Sequence, residues 1–477
     1  MSRGLSEMSH GLRVVWIATA LYALIMFLLG VDRYIIYRAG ADLGLFTQSI
    51  SAAFHGFSNQ IDHVDHFRVH FSPVLYLCAP FLWLIRSPLA LTALQAIACA
   101  LTAPAIYLFA RRRMDERIAV LAGVTTLLYP PLVGVTFTDF HENGFAPAAI
   151  AWLLWAVDAR RWGWAALFAA LALSVKEDEA VILTVLALAF VIISLRRGDR
   201  QGALFGGAVA VAASLTFVAF FTIVRPLAGA TTYWIISDYY TNPQLWTGDL
   251  PHDPRVLVMG RLTFLLEALG PLLFLPVLSR WFWLAIPGFV EVLASAWPLT
   301  YTMGTHHAGV WVSYVLIAYA DAVGALAKGS TDRALTLARM CPALCLLVLA
   351  FASPTHWGHF LGPRTAHDAS LDRIIALVPS EASVGSFDEA YTHMSLNPNA
   401  RIGMYVPPDY FVYDTNYDAA TWRADIAPRV AAFVCAGLFS PVVTEDGVTL
   451  FKLVRPVSYE KFLRTIQSPP RCSPKDR

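Results

Sequence analysis

Apolar runs long enough to cross, or nearly cross, a lipid bilayer recur about eleven times along this chain, and that feature constrains the fold more than any other. They fall near residues 12–31, 88–110, 118–136, 144–157, 163–175, 180–195, 203–224, 258–278, 281–298, 308–327 and 336–353, with a weaker one at 71–85. Backbone in hydrocarbon must satisfy its own N–H and C=O groups, so these runs are read as helices. Composition agrees: 57% of the 477 residues are hydrophobic and only 14% are charged, with a mean hydropathy of +0.55. The expected fold class is therefore an all-α polytopic membrane protein. The first run, Val14 to Val31, is too long for a signal-peptide core and lacks a small-residue cleavage site, so it reads as a retained span. A net charge of +1 argues against a nucleic-acid partner, which would need a clustered basic excess.

The loops sort by charge. RRRMDER (111–117), DARR (158–161), LRRGDR (195–200), Arg280 and AKGSTDRALTLAR (327–339) are rich in Lys and Arg, which places them in the cytoplasm by the positive-inside rule. The alternate loops carry Asp42, HVDH (63–66), DFHEN (139–143), KEDE (176–179), the 225–257 stretch and GTHH (304–307), and are expected outside. This parity demands an odd number of crossings between Asp42 and RRRMDER. The run 71–85, short and broken by Pro73 and Pro80, is accordingly read as a juxtamembrane or re-entrant helix within the 32–87 outer loop. The N-terminus then lies in the cytoplasm and the C-terminus outside. Runs 144–157 and 163–175 reach only about 20 Å, against a hydrocarbon core near 30 Å, so DFHEN and KEDE are expected in a recessed polar chamber.

Beyond the transmembrane domain, expected over 1–354, the texture changes. ASVGSF (382–387), RIGMYV (401–406), YFVYDT (410–415) and VVTEDGVTLFKLV (442–454) are strand-like, the last with a Glu-Asp-Gly hairpin turn. Helix-like runs at 370–378 and 423–437 separate them, predicting a small α/β extracytoplasmic domain over 355–460 and a frayed tail over 461–477. The six cysteines show no metal-binding spacing; Cys435 and Cys472 could pair outside the cell, which sequence positions do not decide.

The outer loops hold the candidate chemistry. Asp42, in GADLGLFTQSI, serves equally as the N-cap of a surface helix or as a carboxylate at the chamber's mouth, acting as general base or metal ligand. Asp139, His141 and Glu142 could position a hydroxyl or hold a divalent ion, with Asp42, Asp139 and His141 the candidate ligands; an ordinary helix-start cluster is the alternative. Lys176, Glu177, Asp178 and Glu179 form a run of charges between apolar helices, or a solvated turn. His63, Asp65, His66 and His70 match no strict metal motif, and His306 and His307 start a span as interfacial residues often do. Arg225 and Arg255 flank Tyr233, Trp234, Tyr239, Tyr240 and Trp246, a mixture suited to sugar faces and anionic headgroups or to an interfacial belt. No nucleophile elbow, zinc-protease helix, P-loop or dinucleotide fingerprint stands in a suitable context.

Taken together, ADLGLFTQ followed by HFSP, a helix ending in YLFARRR, FTDFHENGFAPAAIAWLLWA and ALSVKEDEA resemble a bacterial family of predicted multi-pass membrane proteins classed as a domain of unknown function. The resemblance runs from about Arg33 to Val454, including the late EDGVTLFKLV strand. That family is similar to the GT-C glycosyltransferases, polytopic enzymes that use polyprenyl-phosphate sugars at the outer membrane face. The resemblance implies that Asp42 matches an essential acidic residue of the first outer loop, and that Asp139 and its neighbours match a second acidic position.

The expected function is transfer of a sugar from a polyprenyl-phosphate carrier to an acceptor glycan, lipid or protein at the outer face of a bacterial cytoplasmic membrane. Asp42, Asp139 and Glu142 are the expected catalytic residues. His70, His141, Lys176, Glu177, Asp178, Arg225, Arg255, His306 and His307 are expected to bind substrate, with a divalent metal optional. Two rivals stand beside this reading: a transporter or flippase-like protein with an ion or proton path through KEDE and DFHEN, and a non-catalytic envelope assembly protein.

Overall fold

In a computed structural model of the chain, the described residues are 9–60, 65–230, 254–352, 355–417, 419 and 422–467. They divide into two compact units. The first comprises Met1–Leu29, Phe67–Cys78 and Thr92–Trp357; the second comprises Gly30–His66, Ala79–Leu91 and Gly358–Arg477.

The first unit is built of helices. Among the described residues six helices are long and apolar enough to cross a membrane: His10–Ile35, Leu89–Arg111, Glu177–Arg196, Arg200–Leu227, Val312–Gly329 and Thr331–Ala352. A seventh span is possible if Glu116–Leu128 and Pro130–Phe137, bent by 44° where Pro130 follows the extended Tyr129, count as one. The expected number of about eleven is thus not reached by length and composition. Ala146–Asp158 and Trp162–Leu173 stop at 13 and 12 residues. The run from 258 is cut at Gly270 and Pro271, where the helix Pro254–Leu269 tightens into a single 3-10 turn. Proline and glycine inside an apolar run break the hydrogen-bond ladder without reducing hydropathy, which is why a hydropathy reading overcounts. Pro73–Ile85 is likewise a short apolar helix and not a span candidate.

One end of this bundle is tied by arginine. Arg113 bridges Asp158 (Nη2–Oδ1 2.5 Å) and Asp321 (Nε–Oδ1 3.1 Å), and its guanidinium stacks over the Phe109 ring. Arg112 pairs with Asp158 at 2.7 Å and Arg160 with Asp199 at 2.6 Å. Gly324 makes the room: a Cβ there would lie 2.7 Å from the Arg113 Cβ. These loops were expected to be basic, but Asp partners neutralise much of their charge.

The second unit carries a five-stranded sheet of β1 (Val384–Ser386), β2 (Ala400–Ile402), β3 (Tyr410–Asp414), β4 (Phe439–Glu445) and β5 (Val448–Leu453), in the order β2-β1-β3-β5-β4. β1 is parallel to β2 and β3, whereas β5 is antiparallel to β3 and β4. The β4–β5 turn places Asp446 and Gly447 at positive φ, as a tight hairpin requires. Helix Tyr459–Gln467 corrects the expectation that the tail frays from 461: Phe462 is buried against Phe433, with Leu463 and Ile466 at helical spacing beside it. Cys435 is disulfide-bonded; Cys472 lies outside the described residues.

The segment after the first helix belongs to this same unit. In helix Ala41–Ser51, Gln48 donates to the carbonyls of Asn397 (2.9 Å) and Ala400 (3.1 Å) and accepts from Tyr391 Oη. Gly44 lies flat against the Tyr391 ring, where a Cβ would come within 2.6 Å. His393 is stacked between Tyr34 and Tyr37, each ring centroid 4.0 Å away.

Helix Asp388–Met394 carries opposed titrations. Burial, helped by Asp388, pushes the Glu389 carboxyl up to about 7 from 4.5, while burial holds the His393 imidazole down at about 4 from 6.5. A raised acid stabilises the fold below its unfolded value and loses that stabilisation as pH rises through 7; a depressed histidine stabilises above 6.5 and loses it as pH falls through 4. Between about pH 4.5 and 6.5 the slopes oppose, so the wild type should be nearly flat there. Glu389→Gln should unmask the histidine and gain stability as pH rises through that window. Hydrogen exchange of the 388–394 amides, corrected for intrinsic rate, reads this out; parallel profiles for wild type and variant would refute it.

Candidate active site

Four polar segments that are far apart in sequence meet in the first unit around one cavity of about 460 Å³. Its polar lining comes from His70, Asn143, Lys176, Glu177, Asp178, Glu291, Thr300 and His307. DFHEN is shaped by Gln95, a buried side chain whose Nε2 donates to the carbonyls of Val135 (3.1 Å) and Thr138 (3.1 Å) while Oε1 accepts from His141 N at 2.8 Å. That single amide turns the chain after Phe137 and presents His141. The His141 ring stacks on His306 at 3.5 Å and 12°, and His306 on His307 at 4.1 Å. Gly309 permits the approach, since a Cβ there would come within 2.6 Å of the Asn143 carbonyl.

Lys176 is the N-cap of helix Glu177–Arg196, in extended conformation, and its Nζ lies 3.6 Å from Asp178 Oδ2. Glu177 is engaged on both oxygens: Oε1 meets His70 Nδ1 at 2.9 Å and Oε2 accepts from Phe71 N at 2.9 Å. It therefore anchors the His70 segment to this helix. The Val74 amide donates to the Ser174 carbonyl, completing the seam. Glu291, from helix Ile286–Ala294, packs against Asp178. Burial, reinforced by His141, His307, Lys176 and His70, drives His306 well below its usual range; burial and Lys176 do the same to His307. Both imidazoles are neutral near pH 7; among the described residues Lys176 is the lysine or arginine that lines this cavity.

The remaining wall is apolar and open. Val181 (46%), Val185 (51%), Phe217 (37%) and Val290 (59%) line the cavity yet are exposed on the bundle's surface. A polar head end thus gives sideways onto the face that lipid solvates.

The other expected residues are placed differently. Asp139 contributes its carbonyl to His141 Nδ1 (3.4 Å), and Glu142 is buried at the start of a 3-10 turn. Arg225 Nε donates to the Arg68 carbonyl at 3.0 Å, with the guanidinium near Phe221, a structural engagement. Arg255 is exposed in the first turn of helix Pro254–Leu269. Asp42 belongs to the second unit, exposed in the first turn of its helix; the N-cap there is Gly40, so Asp42 is not the cap. His63 and the aromatic residues from Tyr233 to Trp246 lie outside the described residues. Among the described residues no three His, Cys, Asp or Glu side chains are grouped to hold a metal ion, and Glu177 is already engaged by His70 and Phe71.

Sequence reading passed over Gln95 and Glu291. Each is a lone polar residue inside an apolar run, LTALQAIACA and IPGFVEVLA, and that isolation was the available signal.

The sequence matches the family profile described as "Predicted membrane protein (DUF2079)" over residues 34–417. No curated protein matches it. Among solved structures the fold is similar to ArnT from Cupriavidus metallidurans bound to undecaprenyl phosphate, with a TM-score of 0.59 at 14% identity, covering 91% of this chain and 97% of that one. The apo state of the same ArnT gives a TM-score of 0.54 with the same identity and coverage. A likeness at this identity establishes the fold, which is GT-C-like with a small C-terminal sheet.

Proposed function

The chain belongs to the DUF2079 family of predicted membrane proteins, and on that premise we propose that it is a GT-C-type glycosyltransferase using a polyprenyl-phosphate-linked sugar at the outer face of the cytoplasmic membrane. The observation that carries this reading is the cavity's division into a charged head end, with Lys176, Asp178, Glu291 and His307, and an apolar wall that opens on the lipid-facing surface. Such a shape suits a ligand whose sugar and phosphate need polar partners and whose tail never leaves the hydrocarbon. ArnT, whose fold this chain shares, has been crystallised with undecaprenyl phosphate. The disulfide at Cys435 fits an extracytoplasmic second unit.

In the proposed reaction the acceptor hydroxyl oxygen attacks the anomeric carbon, its proton passes to a carboxylate, for which the family resemblance alone suggests Asp42, and the bond between that carbon and the phosphate oxygen breaks. The departing polyprenyl phosphate carries the electron pair away as a phosphate oxyanion, stabilised by the Lys176 ammonium. Asp178 and Glu291 accept hydrogen bonds from sugar hydroxyls, while Glu177 keeps His70 in place. Asp139, His141 and Glu142 orient the acceptor.

A second reading is favoured by Glu179, a fully buried carboxyl within an apolar helix, the kind of intramembrane ionisable residue that proton relays use. Purified protein in nanodiscs, given a labelled polyprenyl-phosphate sugar and membrane-extract acceptors, should release polyprenyl phosphate in step with labelled acceptor. Gradient-driven flux of an intact substrate in sealed vesicles, with no glycosidic product, would replace the transferase by the transporter.

A further inference from the structure

Helix Glu177–Arg196 has a second cavity at its other end. About twenty residues separate Glu177 from Arg197, or about 30 Å at the helical rise, the thickness of a bilayer's hydrocarbon core. The active-site cavity lies at the acidic end; the second, of about 350 Å³, lies at the arginine end. Its wall is apolar, with Leu183, Leu186, Phe190 and Ile193 from one helix facing Phe205 and Val209 from the next. Gly206 permits the helices to approach, since a Cβ there would lie 3.0 Å from the Phe190 ring and from Val191.

The mouth of this cavity carries Arg197, Arg280, Trp281 and Trp283. Both arginines are exposed, and neither makes an ion pair among the described residues. Arg112, Arg113 and Arg160 at the same end are each neutralised by Asp158, Asp321 or Asp199, whereas Arg161, Arg196 and Arg200, like Arg197 and Arg280, make no ion pair among the described residues; what sets Arg197 and Arg280 apart is their place at the mouth of the cavity. The Trp281 Nε1 donor is buried without an acceptor among the described residues. Unneutralised guanidiniums above an apolar slot, with an indole donor at the boundary, match an ester-linked lipid under a phosphate headgroup.

We propose that this cavity binds one anionic glycerophospholipid from the leaflet on the arginine-rich side, its phosphate held by Arg197 and Arg280 and one acyl chain lying in the slot. The site is independent of the proposed glycosyl transfer, sits at the opposite membrane surface and needs no reaction to be detected.

The test compares dioleoyl phosphatidylglycerol with dioleoyl phosphatidylcholine on delipidated, detergent-purified protein, by native mass spectrometry and by melting temperature. One phosphatidylglycerol should be retained and should raise the melting temperature, whereas phosphatidylcholine should do neither. Arg197→Gln/Arg280→Gln should melt as the wild type does without lipid but bind phosphatidylglycerol about 30-fold more weakly, which is about 2 kcal/mol for two arginines at the headgroup level. Equal retention of both lipids, an unchanged affinity in the double variant, or displacement of the bound lipid by one equivalent of a polyprenyl phosphate would overturn the proposal.

Discussion

Asp42→Asn is expected to lower the rate of sugar transfer by about 10²–10⁴-fold, the range that a positioned general base contributes. The substitution is isosteric. The helix start at 41 is capped by Gly40, and Asp42 is exposed in the first turn, where loss of the interaction of a charge with the helix N-terminus costs about 0.3–1 kcal/mol. Melting temperature and detergent elution profile should therefore match the wild type while kcat collapses and KM for the lipid donor holds. Turnover unchanged in the variant would remove Asp42 from proton transfer, and the acceptor would have to be activated by another carboxylate.

The membrane class and the gathering of the polar loops were legible because each rests on a property local in sequence. Apolar run length marks a helix in lipid, and loop charge marks a side. KEDE, DFHEN, HFSP and GTHH carry the residues of one cavity, as alternation of loops implies. The hairpin at Glu445–Asp446–Gly447 was equally local, since its turn residues need positive φ.

What the sequence hid depends on partners far away along the chain. Gln48 and Tyr391 stand 343 positions apart, and their hydrogen bond helps join the segment after the first helix to the tail sheet in one unit; neither segment advertises the other. Arg225 looked like a phosphate ligand because cations beside aromatics often are, yet its Nε is spent on the Arg68 carbonyl. The neutrality of His306 and His307 also follows from packing, since an isolated histidine pair at a helix start carries no sign of the burial that removes its charge. Glu177, read as a substrate ligand, has both oxygens committed to the His70 segment, a role visible only once Phe71 N and His70 Nδ1 are placed.

Those engagements concentrate the electrostatic demand of the proposed reaction on one residue. A phosphate leaving group develops negative charge as the anomeric bond breaks, and in a cavity walled by Val181, Val185 and Val290 water screens that charge poorly. With the imidazoles of His306 and His307 neutral, Lys176 is, among the described residues, the lysine or arginine that lines the cavity. Lys176→Met should therefore cost about 10²–10³-fold in kcat, the scale for removing a preorganised stabilising group. It should also leave Asp178 without its ammonium partner, so some loss of stability is expected in the same variant. Lys176→Arg separates the effects: it restores the ion pair and the melting temperature, and recovers part of the rate according to how well a guanidinium reaches the same oxygen. A Lys176→Met protein that folds and transfers sugar at the wild-type rate would mean that the phosphate departs somewhere other than this cavity, and the donor site would have to be sought elsewhere in the chain.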